Sequence, residues 1–386
     1  MVKLGGGIQA AALPLLAAAT TADPGLVAGV TAAGLLPWLL VGIPAGALVD
    51  RLNRGVLIVV CDLARLGLLS ALGTAVAFGH ATIWLVYTVA FLGGVGQTFR
   101  DTAASTLVPE LVEPQQRDRA NGWLTNVRNA GDELVGPPLG GYLFGVAAAL
   151  PFVLNAGLLA AGTALICTLP LLFRPRPGKR RRRRLRADIA TGVGWLARHR
   201  RLRAVVALGG VLAFTDAAWF AVLVLYVRDT LGLPEAAFGV LLSVGAVGGL
   251  LGGFGAEFVA RRVGAGPALL GAAGVAAACQ LALGLTASSA VAAACLAVSS
   301  CVFSIFLVVS ATLLQTLTPD RLYGRIVSAN RTLVSGMEPL GALSGGLAAS
   351  AWGLRAPFLL GVPLVCLALV LSVRVLGSAG TPPADR

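Results

Sequence analysis

Twelve apolar segments follow one another through this chain, at about 4–21, 26–48, 56–78, 82–107, 121–146, 151–173, 204–227, 236–260, 267–286, 290–317, 325–350 and 355–376. Each is long enough to cross a hydrocarbon core of about 30 Å as a helix. They are too long, and too evenly apolar, for the alternating strands of about ten residues that build outer-membrane barrels. Only 12% of the residues are charged, roughly half the share of a soluble domain. Fifty glycines and many alanines suit helices that approach closely in lipid. The pattern predicts an all-α membrane protein with twelve transmembrane helices, in contact with the bilayer throughout.

Two stretches about 205 residues apart read alike. Gly131-Asp-Glu133-Leu-Val-Gly136-Pro-Pro-Leu-Gly140-Gly141 and Gly336-Met-Glu338-Pro-Leu-Gly341-Ala-Leu-Ser-Gly345-Gly346 share G-x-E-x-x-G-x-x-x-G-G. A Pro-Phe pair follows each, Pro151-Phe152 and Pro357-Phe358. A period near half the chain length implies duplication, and the same order in the same orientation implies a parallel repeat about the membrane normal. The expected domains are an N-terminal six-helix bundle (1–173), a basic linker with a short interfacial helix (174–203), a C-terminal six-helix bundle (204–376) and a disordered tail (377–386). Within the linker, Ile189, Val193 and Leu196 fall at helical spacing.

Positive charge sets the orientation. Thirteen of the thirty Lys and Arg residues fall between Arg174 and Arg203, and eight more in the short turns on the same side: Arg51, Arg54, Arg117, Arg119, Arg261, Arg262, Arg321 and Arg325. The opposite connections hold only His80, Arg228 and Arg355. Both termini are therefore expected in the cytoplasm, with the chain multi-pass in the cytoplasmic membrane. The net charge of +13 is mostly this one connection, which suits anionic lipid headgroups rather than nucleic acid. The six cysteines lie in apolar segments without metal-ligand spacing, so neither metal nor cofactor is expected.

Charged residues inside apolar helices cost about 2.5–3.5 kcal/mol each on insertion scales, so they mark pairs or function. Asp62 and Arg65 are spaced i,i+3, and Arg128 and Asp132 i,i+4, so each can neutralise its partner on one helix face. Arg100 adjoins Asp101. Arg331 shares a face with Glu338 but stands two turns away. Glu133, Glu338 and Asp216 have no such partner on their own helices. A carboxyl of this kind can gain and lose a proton near neutrality, which makes these three the candidate coupling residues.

Several motifs carry a resemblance. Gly46-Ala-Leu-Val-Asp50-Arg51-Leu-Asn-Arg54 resembles the loop between helices 2 and 3 of major facilitator superfamily transporters, and Gly136-Pro137-Pro138-Leu139-Gly140-Gly141 resembles the helix 5 motif of that family's antiporters. Asp188 to Arg203 and Tyr226 to Leu233 look like the macrolide-efflux and enterobactin-exporter-like branch. The resemblance covers essentially the whole chain and implies the major facilitator fold. It also implies that Gly46, Asp50, Arg51 and Arg54 form a cytoplasmic latch that holds one conformation and breaks in the other. The second copy, Val259-Ala260-Arg261-Arg262, lacks the Asp, and Ala342 replaces Pro137 in the second helix motif. Helix 1 also departs from the branch, with Gly5-Gly6-Gly7 where an acidic residue often stands. An arginine common in helix 4 of other proton-coupled branches is missing around Phe91 to Gly96.

The implied function is secondary active transport by alternating access. The expected form is a monomer exporting amphipathic or hydrophobic small molecules, such as drugs or secondary metabolites, in exchange for protons or another ion. An importer or a dedicated siderophore exporter on the same fold stays open. No phosphate-binding loop supplies ATP. A membrane-embedded enzyme or a non-transporting receptor fits less well: with only His80 and His199 there is no nucleophile or metal constellation.

Overall fold

The computed structural model describes residues 1–49, 52–111, 127, 129–168, 194–196 and 198–377. Its helices are α1 (Val2–Thr20), α2 (Pro24–Val49), α3 (Arg54–Ala77), α4 (Ile83–Leu111), α5 (Gly136–Val146), α6 (Leu150–Cys167), α7 (Arg200–Phe220), α8 (Glu235–Val263), α9 (Ala265–Leu285), α10 (Ser289–Leu317), α11a (Asp320–Ser335), α11b (Met337–Trp352) and α12 (Ala356–Leu376). No strand occurs among the described residues. Among them, nine helices are long and apolar enough to cross a membrane. Helix 4, which carries Gln97, Arg100 and Asp101, and the interrupted helices 5 and 11 are the ones outside that set.

Local chemistry starts and stops these helices. Asn53 caps α3, its side chain accepting from the backbone N–H groups of Gly55 and Val56. Asp23 does the same for α2 through Gly25 N–H at 2.8 Å. Gly264, at φ 90°, turns the chain between α8 and α9 in a conformation that side chains disfavour.

Two helices expected to be continuous are broken. Residues Asn129–Val135 form a π-helix leading into α5, and helix 11 is split at Gly336. Proline explains both. Pro137 and Pro138 have no N–H to offer the carbonyls of Glu133 and Leu134, and Pro339 offers none to Ser335. Helix 7 also ends earlier than its apolar run, at Phe220, and continues as a short turn (Leu223–Leu225) and a second π-helix (Tyr226–Thr230). At its other end α7 begins at Arg200. Of the expected interfacial helix, residues 194–196 are helical and Leu196 is buried in the second unit's core with Leu202 and Leu314; residues 188–193 lie outside the described set, as does the tail from 378.

The chain divides into two compact units, residues 1–181 with 227–243, and residues 182–226 with 244–386. In the first, α1 packs on α5 and α6, α2 on α4, and α3 on α4 and α6. In the second, α7 packs on α11b and α12, and α9 on α10 and α12. Backbone contacts of Gly248 with Ala297 and Gly252 with Cys301 add α8 on α10. Helix for helix, these are the same pairings, as a duplicated chain requires. Phe152 and Phe358, the repeated aromatics, are both fully buried beside a proline in the first turn of their helix.

Candidate functional site

The repeated glycines do the same work in each unit. Gly136 meets Gly7 and Gly140 meets Ile8, so α5 lies backbone to backbone against α1. Gly341 meets Phe214 and Gly345 meets Ala218, which seats α11b on α7 in the same way. A Cβ at any of these positions would collide with main chain, so the approach depends on glycine. Gly141 faces the other way, onto Glu235 and Gly239 at the start of α8. There Ser243 donates a 2.6 Å hydrogen bond to the Leu134 carbonyl, the acceptor that Pro138 cannot serve.

A ladder of alternating charge crosses the first unit. Asp62, fully buried in α3, accepts a 2.8 Å hydrogen bond from Arg100 Nε of α4. Arg65 Nη1 stands 4.0 Å from the same oxygen, so the i,i+3 pair expected from spacing exists but is the weaker contact. Arg100 Nη1 lies 3.6 Å from Asp101 Oδ1. Asp101 also accepts from Gln97 at 2.6 Å and from Lys3 Nζ at 3.3 Å on each oxygen. Lys3 in turn lies 3.4 Å from Asp132 Oδ2 in the π-helix. Arg65, Arg100 and Lys3 thus alternate with Asp62, Asp101 and Asp132 across four helices. Arg128, the partner expected for Asp132, lies outside the described residues.

The second unit arranges charge differently. Asp216 of α7 and Glu338 in the first turn of α11b are carboxyls on two apolar helices pinned together by Gly341 and Gly345. Arg331 and Ser335 belong to α11a, the segment that leads into Glu338 across the break at Gly336. Beside Asp216, Thr215 accepts a 3.3 Å hydrogen bond from the buried Gln280 of α9. The aromatics nearby pack: Trp219 stacks on Phe358 at 5.7 Å, Tyr226 lies 4.9 Å from the same ring, and Phe306 is buried in the core. Glu133 is exposed on the π-helix. Glu257 pairs with Arg261 at 2.6 Å on an exposed helix face.

A sequence profile described as Major Facilitator Superfamily matches residues 1–338. The chain belongs to the Major Facilitator Superfamily. This is a family of transporters rather than enzymes, and the protein is accordingly a multi-pass membrane protein. The multidrug efflux pump Tap of Mycolicibacterium fortuitum is 28% identical over 383 residues, covering 95% of this chain and 91% of that protein. Macrolide efflux protein A of Enterococcus faecalis is 25% identical over 150 residues, 38% of this chain and 46% of that protein. An uncharacterised MFS-type transporter of Sinorhizobium fredii is 28% identical over 260 residues, covering 65% of this chain and 63% of its own length. These last two alignments thus span less than two thirds of the relatives' length. Among solved structures, a bacterial homologue of the human lysosomal transporter Spinster superposes with TM-score 0.75 at 17% identity, over 99% of this chain and 96% of that one. A bacterial homologue of the iron transporter ferroportin gives TM-score 0.73 at 18% identity, over 97% of each chain. These likenesses carry the major facilitator fold.

Of the latch residues, Asp50 and Arg51 lie outside the described set, while Gly46 sits near the end of α2 and Arg54 opens α3. The ladder brings together Asp62, Arg65 and Asp132 from the expected set with the adjoining Arg100 and Asp101, and adds two ties that sequence spacing did not assign. Arg100 is 38 positions from Asp62 and had a nearer acid beside it. Lys3 is 98 positions from Asp101. Their signal was long-range helix pairing, which i,i+4 arithmetic does not see.

Proposed function

We propose that this protein is a secondary active exporter of amphipathic or hydrophobic small molecules, exchanging them for protons by alternating access. Relatives named as macrolide and multidrug efflux proteins support the cargo class and direction, and the charge asymmetry of the loops supports cytoplasmic termini in the cytoplasmic membrane. The observation that carries the coupling is the tight packing of α11b on α7, in which Gly341 and Gly345 seat the helix that bears Glu338 against the Phe214–Ala218 stretch that bears Asp216. Two carboxyls on one such apolar helix pair are costly to keep ionised together, so proton uptake there is the natural resolution. Glu133, in the equivalent motif of the first copy beside Gly136-Pro137, is the coupling candidate of that unit; it lies exposed on the π-helix. One proton crossing 100 mV supplies about 2.3 kcal/mol, enough for a cargo gradient of roughly 40-fold. The Gly46–Arg54 turn acts as the cytoplasmic latch, and the protein works as a monomer.

The test is efflux from proteoliposomes with an imposed pH gradient, using ethidium as cargo. Asp216→Asn and Glu338→Gln each keep exchange down a cargo gradient and lose pH-driven accumulation. Undiminished accumulation in both variants, and in Glu133→Gln, would remove these carboxyls from the coupling mechanism. Transport driven equally well by sodium without a pH gradient would replace the proton by that ion.

A further inference from the structure

Two buried polar atoms of α3 have no direct hydrogen-bond partner, and they belong to neighbouring side chains. Asp62 spends Oδ1 on Arg100 Nε at 2.8 Å, which leaves Oδ2 buried and without a hydrogen bond among the described residues. Arg65 Nη1 is buried and unserved in the same way, and it stands 4.0 Å from Asp62 Oδ1, too far for a direct bond. Asp62 is fully buried and Arg65 is 5% exposed, so bulk solvent reaches neither. A charged donor and a charged acceptor left unserved in such a place are both costly. The aliphatic stem of Arg65 is seated on α4 at Gly96, where a Cβ would lie 3.0 Å from its Cγ and 3.1 Å from its Cδ. That seat holds the guanidinium at its distance from the carboxylate.

We propose that Asp62 and Arg65 form a binding site for a single water molecule inside the first unit. The chemistry of the two groups selects this ligand. The occupant must accept from a guanidinium N–H and donate to a carboxylate oxygen. A small anion such as chloride accepts from Arg65, but Asp62 repels it and Oδ2 gains no donor. A monovalent cation suits Oδ2, but Arg65 and Arg100 repel it. Water serves both groups at once, and two hydrogen bonds of about 2.8 Å meeting at its oxygen span about 4.5 Å, the scale of this gap. A buried donor and acceptor so placed are the setting in which internal water belongs to a structure. The bound molecule gives Asp62 its second hydrogen bond and ties Arg65 to the Asp62–Arg100 pair. Two guanidiniums, one carboxylate and one water then make a single hydrogen-bonded unit between α3 and α4. No proton moves, and the inference holds whatever the cargo and the coupling ion.

The test is a crystal structure of the full chain in a lipid phase, at a resolution that shows ordered solvent. The expected result is a solvent peak within hydrogen-bonding distance of both Arg65 Nη1 and Asp62 Oδ2. An Arg65 guanidinium closed directly onto Oδ2, or a site with no peak, overturns the proposal. So does a peak that gains anomalous signal when chloride is replaced by bromide or sodium by rubidium, because that marks an ion. A second readout works in lipid discs: X-ray radiolytic labelling, in which hydroxyl radicals born from bound water oxidise the nearest reactive side chain. Cys61, buried, next to Asp62 and one turn before Arg65, is the reporter. Wild type oxidises Cys61 several-fold faster than Arg65→Leu, which offers water no donor, while Cys167, exposed at the end of α6, is labelled equally in both. Equal Cys61 rates in the two proteins refute the site. The crystallographic test uses wild type alone, so it decides even where Arg65→Leu folds poorly.

Discussion

Asp62 is the charged residue of the ladder whose loss the structure makes most costly. Its carboxylate is fully buried between Arg100, at 2.8 Å, and Arg65, whose Nη1 is buried, 4.0 Å away and without a hydrogen bond. Asp62→Asn preserves volume and removes the anion, leaving two buried guanidiniums with Asp101, 3.6 Å from Arg100, as the remaining acid of the ladder beside them. Breaking a buried pair by deleting one partner costs about 3–5 kcal/mol, because the surviving charge keeps its desolvation penalty. At roughly 2–4 °C per kcal/mol for a unit of this size, the melting temperature in detergent falls by about 6–20 °C. The comparison that isolates the cause is Arg65→Met. It removes the poorly partnered cation while keeping the aliphatic stem that packs on Gly96, so it costs far less and can be neutral. Scanning fluorimetry on both purified variants decides. If Asp62→Asn melts within about 2 °C of wild type, the pair contributes no more than a surface salt bridge. If Arg65→Met is the more damaging, the ladder is read in the wrong order.

Three further outcomes follow from the same contacts. Ser243→Ala leaves the Leu134 carbonyl without the donor that replaces Pro138, costing about 1–3 kcal/mol, read as a lower melting temperature; Ser243→Thr, which keeps the hydroxyl, is milder. Gly140→Val drives a branched side chain into the Ile8 backbone and abolishes folded protein in size-exclusion chromatography, whereas Gly145→Ala, with nothing within 4 Å of its Cβ, is tolerated. Asp50→Asn lowers transport rate in the flux assay without changing membrane insertion; equal rates would exclude the latch.

The helical membrane fold and its duplication were legible because they rest on segment length, charge scarcity and a repeated glycine pattern, all local properties. Glycine spacing even predicted which faces touch: Gly136 and Gly140, like Gly341 and Gly345, meet a neighbouring backbone. The helix breaks were half legible. Pro137, Pro138 and Pro339 announce missing donors, but whether a chain answers with a π-turn, as at Asn129–Val135, or a clean break, as at Gly336, depends on what the partner helix supplies. For Leu134 the partner supplies Ser243, more than a hundred positions away. The charge ladder was least legible. Same-helix spacing found Asp62 with Arg65, which turns out to be its weaker contact, while the strongest ties run between helices whose pairing no spacing rule encodes.

The two copies keep the same helix pairings and resolve intramembrane charge in opposite ways. In the first, every carboxylate of the ladder faces a cation from another helix, so its ionised form is the one that ties helices together. In the second, Asp216 and Glu338 stand on two helices that Gly341 and Gly345 seat backbone to backbone, the pair to which the proposed coupling assigns a proton. Under the proton coupling proposed above, a proton weakens an ion pair between helices in the first unit and relieves repulsion between carboxyls in the second. A transporter assembled from two identical electrostatic solutions would respond to a proton in the same sense on both halves. On that reading the divergence of the repeats gives one ligand opposite effects on homologous helix pairs, α1 with helix 5 and α7 with helix 11, which is what an alternating cycle needs from its coupling ion.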